Sequence, residues 1–214
     1  MQKKRVITAV VGIPLLLTAV YFGGWVLLAP IMFLGALAVQ ELFWMLPAMT
    51  CRFKWLLALS ASLYIAAGFT FFVLLRLQYA DFRPALLLLL TVWITDIGAY
   101  EIGRRVGKHL LAPKISPHKT WEGAISGLVF AVGLTGGYAV AVLGIKITEA
   151  VVIVAVGSVA GQLGDLLESK IKRLAGVKDS GKIFPGHGGV LDRFDSILLA
   201  APVLYLLLFV LQWQ

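Results

Sequence analysis

Hydrophobic and polar positions along this chain fall into long blocks rather than the short alternations of a soluble domain. Seven apolar runs can be drawn, at residues 6–22, 25–46, 55–75, 84–102, 123–143, 150–167 and 197–213. About 20 helical residues cross ~30 Å of hydrocarbon, so each run reads as a membrane span. The pattern predicts an all-α polytopic transmembrane bundle of about seven spans, a single integral membrane domain over 1–214. The first run is short and meets the second at Gly23-Gly24, as a tight hairpin or a partly re-entrant pair. The basic N-terminus followed by an apolar run resembles a signal peptide. No A-x-A-like site follows it, and the chain continues into further apolar segments, so it is read as the first span.

Two polar passages interrupt the apolar blocks. One, residues 169–196 (SKIKRLAGVKDSGKIFPGHGGVLDRFDS), packs six Lys/Arg, three Asp, one His and five Gly into 28 residues. The other covers residues 103–122. Threading the spans with the N-terminus inside puts sixteen of the nineteen Lys/Arg on the cytoplasmic side and leaves Arg76, Arg83 and Lys146 outside. That asymmetry is what the positive-inside rule asks for, and it sets both polar passages on one face. Two loops sharing a face can build one site. The short external connections carry no chemistry.

Composition sharpens the class. The chain is 60% apolar and 14% charged with a mean hydropathy of +0.91, against roughly 25% charged residues in soluble domains. The net charge of +8 is accounted for by the positive-inside distribution and needs no nucleic acid. A lone Cys51 excludes an internal disulfide, and no spaced Cys/His set suggests zinc. A metal would be held by carboxylates, which favours a hard ion such as magnesium.

Charges inside the spans need a reason, because each costs about 2.5–3.5 kcal/mol on insertion scales. Asp96 and Asp165 are the main cases. Gly157, Gly161, Asp165 and Ser169 recur at i+4, with Gln162 and Glu168 beside them. The glycines would admit a neighbouring helix, and the carboxylate would point into the packed seam. Asp165-x-x-Glu168-Ser169 is matched by Asp192-x-x-Asp195-Ser196, two acidic faces of the same layout. Glu41, beside Gln40, is at least as well read as a structural hydrogen bond or interhelix ion pair as a catalytic group. Trp25, Trp55, Trp93 and Trp213 read as interface or packing residues.

In the later passage, Pro185-Gly186-His187-Gly188-Gly189 lies between Lys178-Asp179 and Asp192-Arg193. A glycine-rich turn can set backbone N–H groups against phosphate oxygens, while Lys and Arg add charge and Asp can hold a bridging divalent ion. His187, flanked by glycine, is open to a role as general acid, phosphate donor or structural hydrogen bond. In the earlier passage, Ser116 before Pro117, or Thr120 before Glu122, would cap a helix and leave N–H groups facing the cytoplasm. Arg104, Arg105 and Lys108 fit an ordinary basic loop equally well. His109 and His118 read as surface or lipid-phosphate contacts.

The run Ser169-x-x-Lys172-Arg173-x4-Lys178-Asp179-x-Gly181-x3-Pro185-Gly186-His187-Gly188-Gly189-x-Leu191-Asp192-Arg193-x-Asp195-Ser196 resembles the signature of phosphatidate cytidylyltransferases, also called CDP-diacylglycerol synthases. DIGAYEIG from Asp96, SPHKTWEG from Ser116 and GDLLES from Gly164 look like further motifs of that family. The resemblance covers the chain from about Asp96 onward. Residues 1–90 match only as hydrophobic spans, one or two N-terminal helices fewer than in typical bacterial members, and residues 91–214 carry the catalytic helices and loops.

The resemblance implies transfer of CMP from CTP to phosphatidic acid, with CDP-diacylglycerol and pyrophosphate as products and magnesium required, in a bacterial inner membrane with the active site cytoplasmic. The lipid's phosphate is already largely dianionic near neutral pH, since its second pKa is about 6, so positioning and charge neutralisation can carry the reaction without a strong base. On this reading Asp165 and Asp192 are metal ligands, Asp179 and Asp195 are further ligands or support them, and Glu168 is assigned less securely. Lys172, Arg173, Lys178, His187, Gly188, Gly189 and Arg193 handle the triphosphate. Ser116, Lys119 and Thr120 meet the phosphatidate phosphate or the nucleotide, and Asp96 and Tyr100 line the membrane-facing wall. The resemblance leaves open a second cation, monovalent or divalent. Small-residue faces at Gly123/Gly127 and Gly133/Gly137 serve packing within a protomer or in a homodimer. The competing readings are a CTP-dependent polyisoprenol kinase and, from another class, an anion transporter. The carboxylates other than Glu41 gather at the cytoplasmic helix ends, which argues against a path through the membrane.

Overall fold

The computed structural model describes residues 2–50, 52–181, 183, 188–211 and 213, and for residues 2–9 the backbone only. Helices α1 (Gln2–Phe22), α2 (Gly24–Met45), α3 (Lys54–Leu77), α4 (Arg83–Val106), α5 (Trp121–Phe130), α6 (Gly136–Leu143), α7 (Ile147–Leu174) and α8 (Leu191–Val210) form one bundle. A five-residue π-helical stretch, Ala131–Thr135, joins α5 to α6, so the two make one span. Among the described residues six helices are long and apolar enough to cross a membrane, and α1 contributes a shorter apolar stretch, Val10–Phe22. The protein is therefore an all-α, multi-pass membrane protein. The expected first span corresponds to α1, a helix of 21 residues.

Small residues let the helices approach, as expected where lipid is as apolar as the core. A Cβ on Gly123 would stand 2.6 Å from the Ala99 carbonyl oxygen, and one on Gly127 would stand 2.5 Å from that of Thr95. The α4–α5 contact is thus backbone against backbone. Between α7 and α8, Gly164 lies against the Asp195 carbonyl and Gly157 leaves room for the Leu204 side chain. The Gly123/Gly127 face serves packing inside the protomer, whereas Gly133 and Gly137 have no atom within 4 Å of a notional Cβ. Buried polar links add register: Thr95 Oγ1 donates to Thr91 O at 2.6 Å and lies 2.8 Å from Ser158 Oγ of α7.

Both polar passages are shorter than expected, because helices consume their flanks. α4 runs on to Val106, α7 to Leu174, and α8 starts at Leu191. Glu168, Ser169, Lys172 and Arg173 therefore sit on the last turns of α7, and Asp192, Asp195 and Ser196 on the first turns of α8. The earlier passage holds what the all-α reading missed, an antiparallel hairpin of β1 (Leu110–Ala112) and β2 (Ser116–Thr120) with an irregular register. Ser116 opens β2 and does not cap a helix. Thr120 does cap α5, its hydroxyl accepting from Gly123 N at 3.2 Å. Glu122 ties the hairpin down by accepting from Lys108 N at 3.1 Å and pairing with His109 Nδ1 at 2.6 Å.

Of the tryptophans, Trp25 and Trp55 face outward at 79% and 68% exposure, Trp93 packs on the core, and Trp213 donates to Leu143 O at 3.0 Å. The C-terminal ends of α2, α4 and α7, the N-terminal ends of α5 and α8, and the hairpin all meet at one end of the bundle. The site lies there.

Candidate functional site

A cavity of about 540 Å³ opens between α4, the hairpin, α5 and α7, lined by Asp96, Tyr100, Arg104, His118, Lys119, Thr120, Gln162 and Asp165 among others. Five residues singled out from sequence meet there: Asp96, Tyr100, Lys119, Thr120 and Asp165. Asp96 and Tyr100 come from successive turns of α4, as their spacing predicts. Arg104, one turn further on, lies over the Tyr100 ring, 5.7 Å from its centroid. Lys119 reaches across from β2 and forms an ion pair with Asp165 of α7. The amide of Gln162 closes the wall by donating to Ala124 O at 3.2 Å. Arg104, His118 and Gln162 belong to the site although sequence reasoning gave them no certain place in it.

Beside the cavity lies a second, more buried cluster. Lys172 sits 2.6 Å from both Glu168 Oε2 and Asp192 Oδ1, with the side chains only 12%, 4% and 5% exposed. Asp192 Oδ2 accepts from Ser180 N at 2.9 Å, Ser180 Oγ at 3.0 Å and Gly189 N at 2.8 Å. Glu41, fully buried on α2, accepts from Val190 N at 2.8 Å, Leu191 N at 3.0 Å and Ser180 Oγ at 2.9 Å. The structural hydrogen bond expected of Glu41 is thus present, made to the backbone of the later passage. Of the glycine-rich turn read from sequence as a phosphate cradle, the Gly189 amide goes to Asp192 and the next two amides, Val190 and Leu191, go to Glu41, while Pro185 to His187 lie outside the described residues. Gly188 and Gly189 admit that approach, since a Cβ on either would collide with Asp192 or with Ser180 and Glu41.

Other expected site residues have different surroundings. Arg173 donates to Ile115 O at 3.1 Å and Val177 O at 3.2 Å, which ties the hairpin tip to the end of α7. Lys178 and Asp179 are exposed. Ser116 is half-buried on β2 and does not line the cavity. Arg193 is exposed on α8 and interacts electrostatically with Asp96. His187 lies outside the described residues, as do Pro185 and Gly186. Tyr64 of α3 was not foreseen: its buried hydroxyl stands 3.3 Å from a notional Cβ on Gly164, at the α7–α8 seam.

Asp195 at the start of α8 lies within electrostatic reach of Asp165 and Glu168 on α7 and of Asp96 on α4. Ser169 Oγ donates to Asp165 Oδ1 at 3.3 Å, and Asp195 Oδ1 accepts from Ser196 N at 2.7 Å. Among the described residues no three His, Cys, Asp or Glu side chains converge on one point, because Lys119 and Lys172 stand between them. The donor set nevertheless suits a hard cation: all oxygen, several carboxylates on packed helices, and a buried Glu168 Oε1 that no hydrogen-bond donor meets.

The sequence model of the cytidylyltransferase family matches residues 51–211, three quarters of the chain. The chain belongs to that family. Among its relatives is the phosphatidate cytidylyltransferase of Bacillus subtilis (strain 168), 46% identical over 150 residues, which are 69% of this chain and 56% of the relative. The proteins of that name from Staphylococcus epidermidis (strain ATCC 35984) and Staphylococcus aureus (strain COL) are each 46% identical, over 68% of this chain and 55% of their own length. The chain spans about 55% of the length of the curated relatives it matches. The family match takes in the cavity and the loop but begins after Glu41.

Proposed function

We propose that the protein is a phosphatidate cytidylyltransferase, joining the phosphate of phosphatidic acid to the α-phosphorus of CTP with release of pyrophosphate. The observation that carries this reading is the Lys119–Asp165 pair in a cavity that also holds Asp96, Tyr100, Arg104 and His118, at the end of a membrane bundle in a cytidylyltransferase family. Arg104 and Lys119 offer positive charge, and His118 a ring nitrogen for hydrogen bonding, to a phosphate monoester whose acyl chains stay among the helices. A lipid phosphate oxygen attacks, a P–O bond forms to the α-phosphorus, and the bond to the β-phosphate oxygen breaks. The nucleophile arrives ionised, so these residues have to orient it and offset its charge.

Lys178, exposed beside the loop, and Arg193, exposed on α8 and interacting with Asp96, are the cations this reading assigns to the triphosphate. Lys172 and Arg173, expected in that role, are already committed to Glu168 and Asp192 and to the backbone, and act by holding the loop. Asp165 and Asp195 would hold a magnesium ion, with Asp192 joining them on giving up Lys172 and exposed Asp179 as an outer ligand. The ion would supply further neutralisation of the transferred phosphates. The sixteen-to-three distribution of Lys/Arg supports a cytoplasmic position for the site, in a bacterial inner membrane.

The test is purified protein with radiolabelled CTP, phosphatidate and magnesium, the lipid product being weighed by mass spectrometry. A lipid that gains CMP supports the reading. One that gains only a phosphate makes the protein a CTP-dependent lipid kinase, and solute flux without CTP consumption makes it a transporter.

A further inference from the structure

We infer that Glu41 is a positioning residue of the reaction: from α2, outside the segment the family model matches, it sets the loop that carries the nucleotide-binding charges. This rests on the function proposed above. Glu41 is fully buried, and its carboxylate accepts from Ser180 Oγ, Val190 N and Leu191 N at 2.8–3.0 Å. Those three residues bracket the loop at both ends. Ser180 lies two positions after Lys178, and Leu191 two positions before Arg193, so one carboxylate fixes the approach to both cations.

The loop is shaped to receive this side chain. A Cβ on Gly181 would stand 2.5 Å from Glu41 Oε1, and one on Gly189 would strike the same carboxylate and the Ser180 hydroxyl. Two of the loop's glycines are thus explained by Glu41 itself. The negative charge also lies against the first N–H groups of α8, where the helix dipole favours an anion.

Ser180 makes the link to the reaction. Its hydroxyl lies 2.9 Å from Glu41 Oε2 and 3.0 Å from Asp192 Oδ2, between a carboxylate from the N-terminal helices and one in the proposed site. A hydroxyl has one proton, so it donates to only one of them at a time. Which one it serves decides how firmly Asp192 is held.

The test compares wild type, Glu41→Gln, Ser180→Ala and the double variant in detergent, with KM for CTP and for phosphatidate, kcat and the thermal midpoint. Gln keeps the size and one acceptor but turns an NH2 toward backbone N–H donors. KM for CTP should rise at least tenfold in Glu41→Gln and less in Ser180→Ala, with KM for phosphatidate within twofold of wild type. The double variant should be no worse than Glu41→Gln, because the two act through one contact. Equal rises for both substrates, unshifted KM values with only a lower midpoint, or additive losses would each reduce Glu41 to a packing role and overturn the inference. If Glu41→Gln does not fold, Ser180→Ala decides alone by the same KM comparison. An active wild type with unshifted variants overturns only this inference, whereas a wild type without CTP turnover overturns the proposed function and this inference with it.

Discussion

Lys119 of β2 and Asp165 of α7 are paired across the wall of the cavity, each about a quarter exposed. The pair links the hairpin to the helix bearing the acidic face, and each partner is the group a substrate or an ion would claim. On the proposed function, binding has to part them. Lys119→Ala should lower kcat/KM by about 10²–10³, the scale of losing one charged contact to a reacting phosphate. Lys119→Arg should recover part of it. Steady-state kinetics on both variants checks this, and an alanine variant within threefold of wild type would remove Lys119 from the site.

Lys172 is held between Glu168 and Asp192, all three nearly buried. Deleting the cation would leave two buried carboxylates facing each other. Lys172→Met should cost about 3–5 kcal/mol in stability, the usual range for breaking a buried pair from one side. Adding Glu168→Gln to Lys172→Met should restore part of the loss, as read from thermal unfolding in detergent.

The α4–α5 seam predicts a contrast between glycines. Gly123→Ala and Gly127→Ala push a methyl into the Ala99 and Thr95 carbonyls and should lower stability by about 1–3 kcal/mol. Gly137→Ala, with open space around it, should be neutral or gain up to about 1 kcal/mol from helix propensity. Gly123 also lines the cavity, so its variant should lose activity along with stability. Thermal midpoints of the three variants suffice.

Chelation should abolish CTP turnover, and added magnesium should restore it. Asp195→Asn should raise the magnesium concentration for half-maximal activity by about tenfold or more, the scale seen when a metal site loses a ligand or its support. Asp165→Asn should remove turnover at any magnesium concentration. Unchanged magnesium dependence in Asp195→Asn would place the ion elsewhere.

Orientation is open to direct measurement. In a Cys51→Ser background, Lys114→Cys at the hairpin tip and Lys146→Cys before α7 place exposed thiols at opposite ends of the bundle. A membrane-impermeant maleimide applied to intact cells should label position 146 and spare 114. The opposite pattern would put the site outside.

Much of this molecule is legible in the order of its residues. Spans show because hydrocarbon imposes a length and an apolar composition, and Asp165 shows because a carboxylate in a span is costly enough to need a reason. The Gly157–Gly161–Asp165 repeat foretold a close helix partner, since i+4 spacing makes a face without further information. The family signature likewise depends on local order alone. Other features depend on which helix stands beside which. Nothing local marks Glu41 as the acceptor for Val190 and Leu191, 149 and 150 residues away, or shows that Gly188 and Gly189 bend around protein carboxylates. The β-hairpin was hidden because its strands are three and five residues long, too short for an alternating pattern to declare itself. The sequence by itself determined the bundle, its basic end and five of the residues that line the cavity. The tertiary structure alone decided which charges are paired with each other, because a buried ion finds its partner by distance in space and not by spacing along the chain.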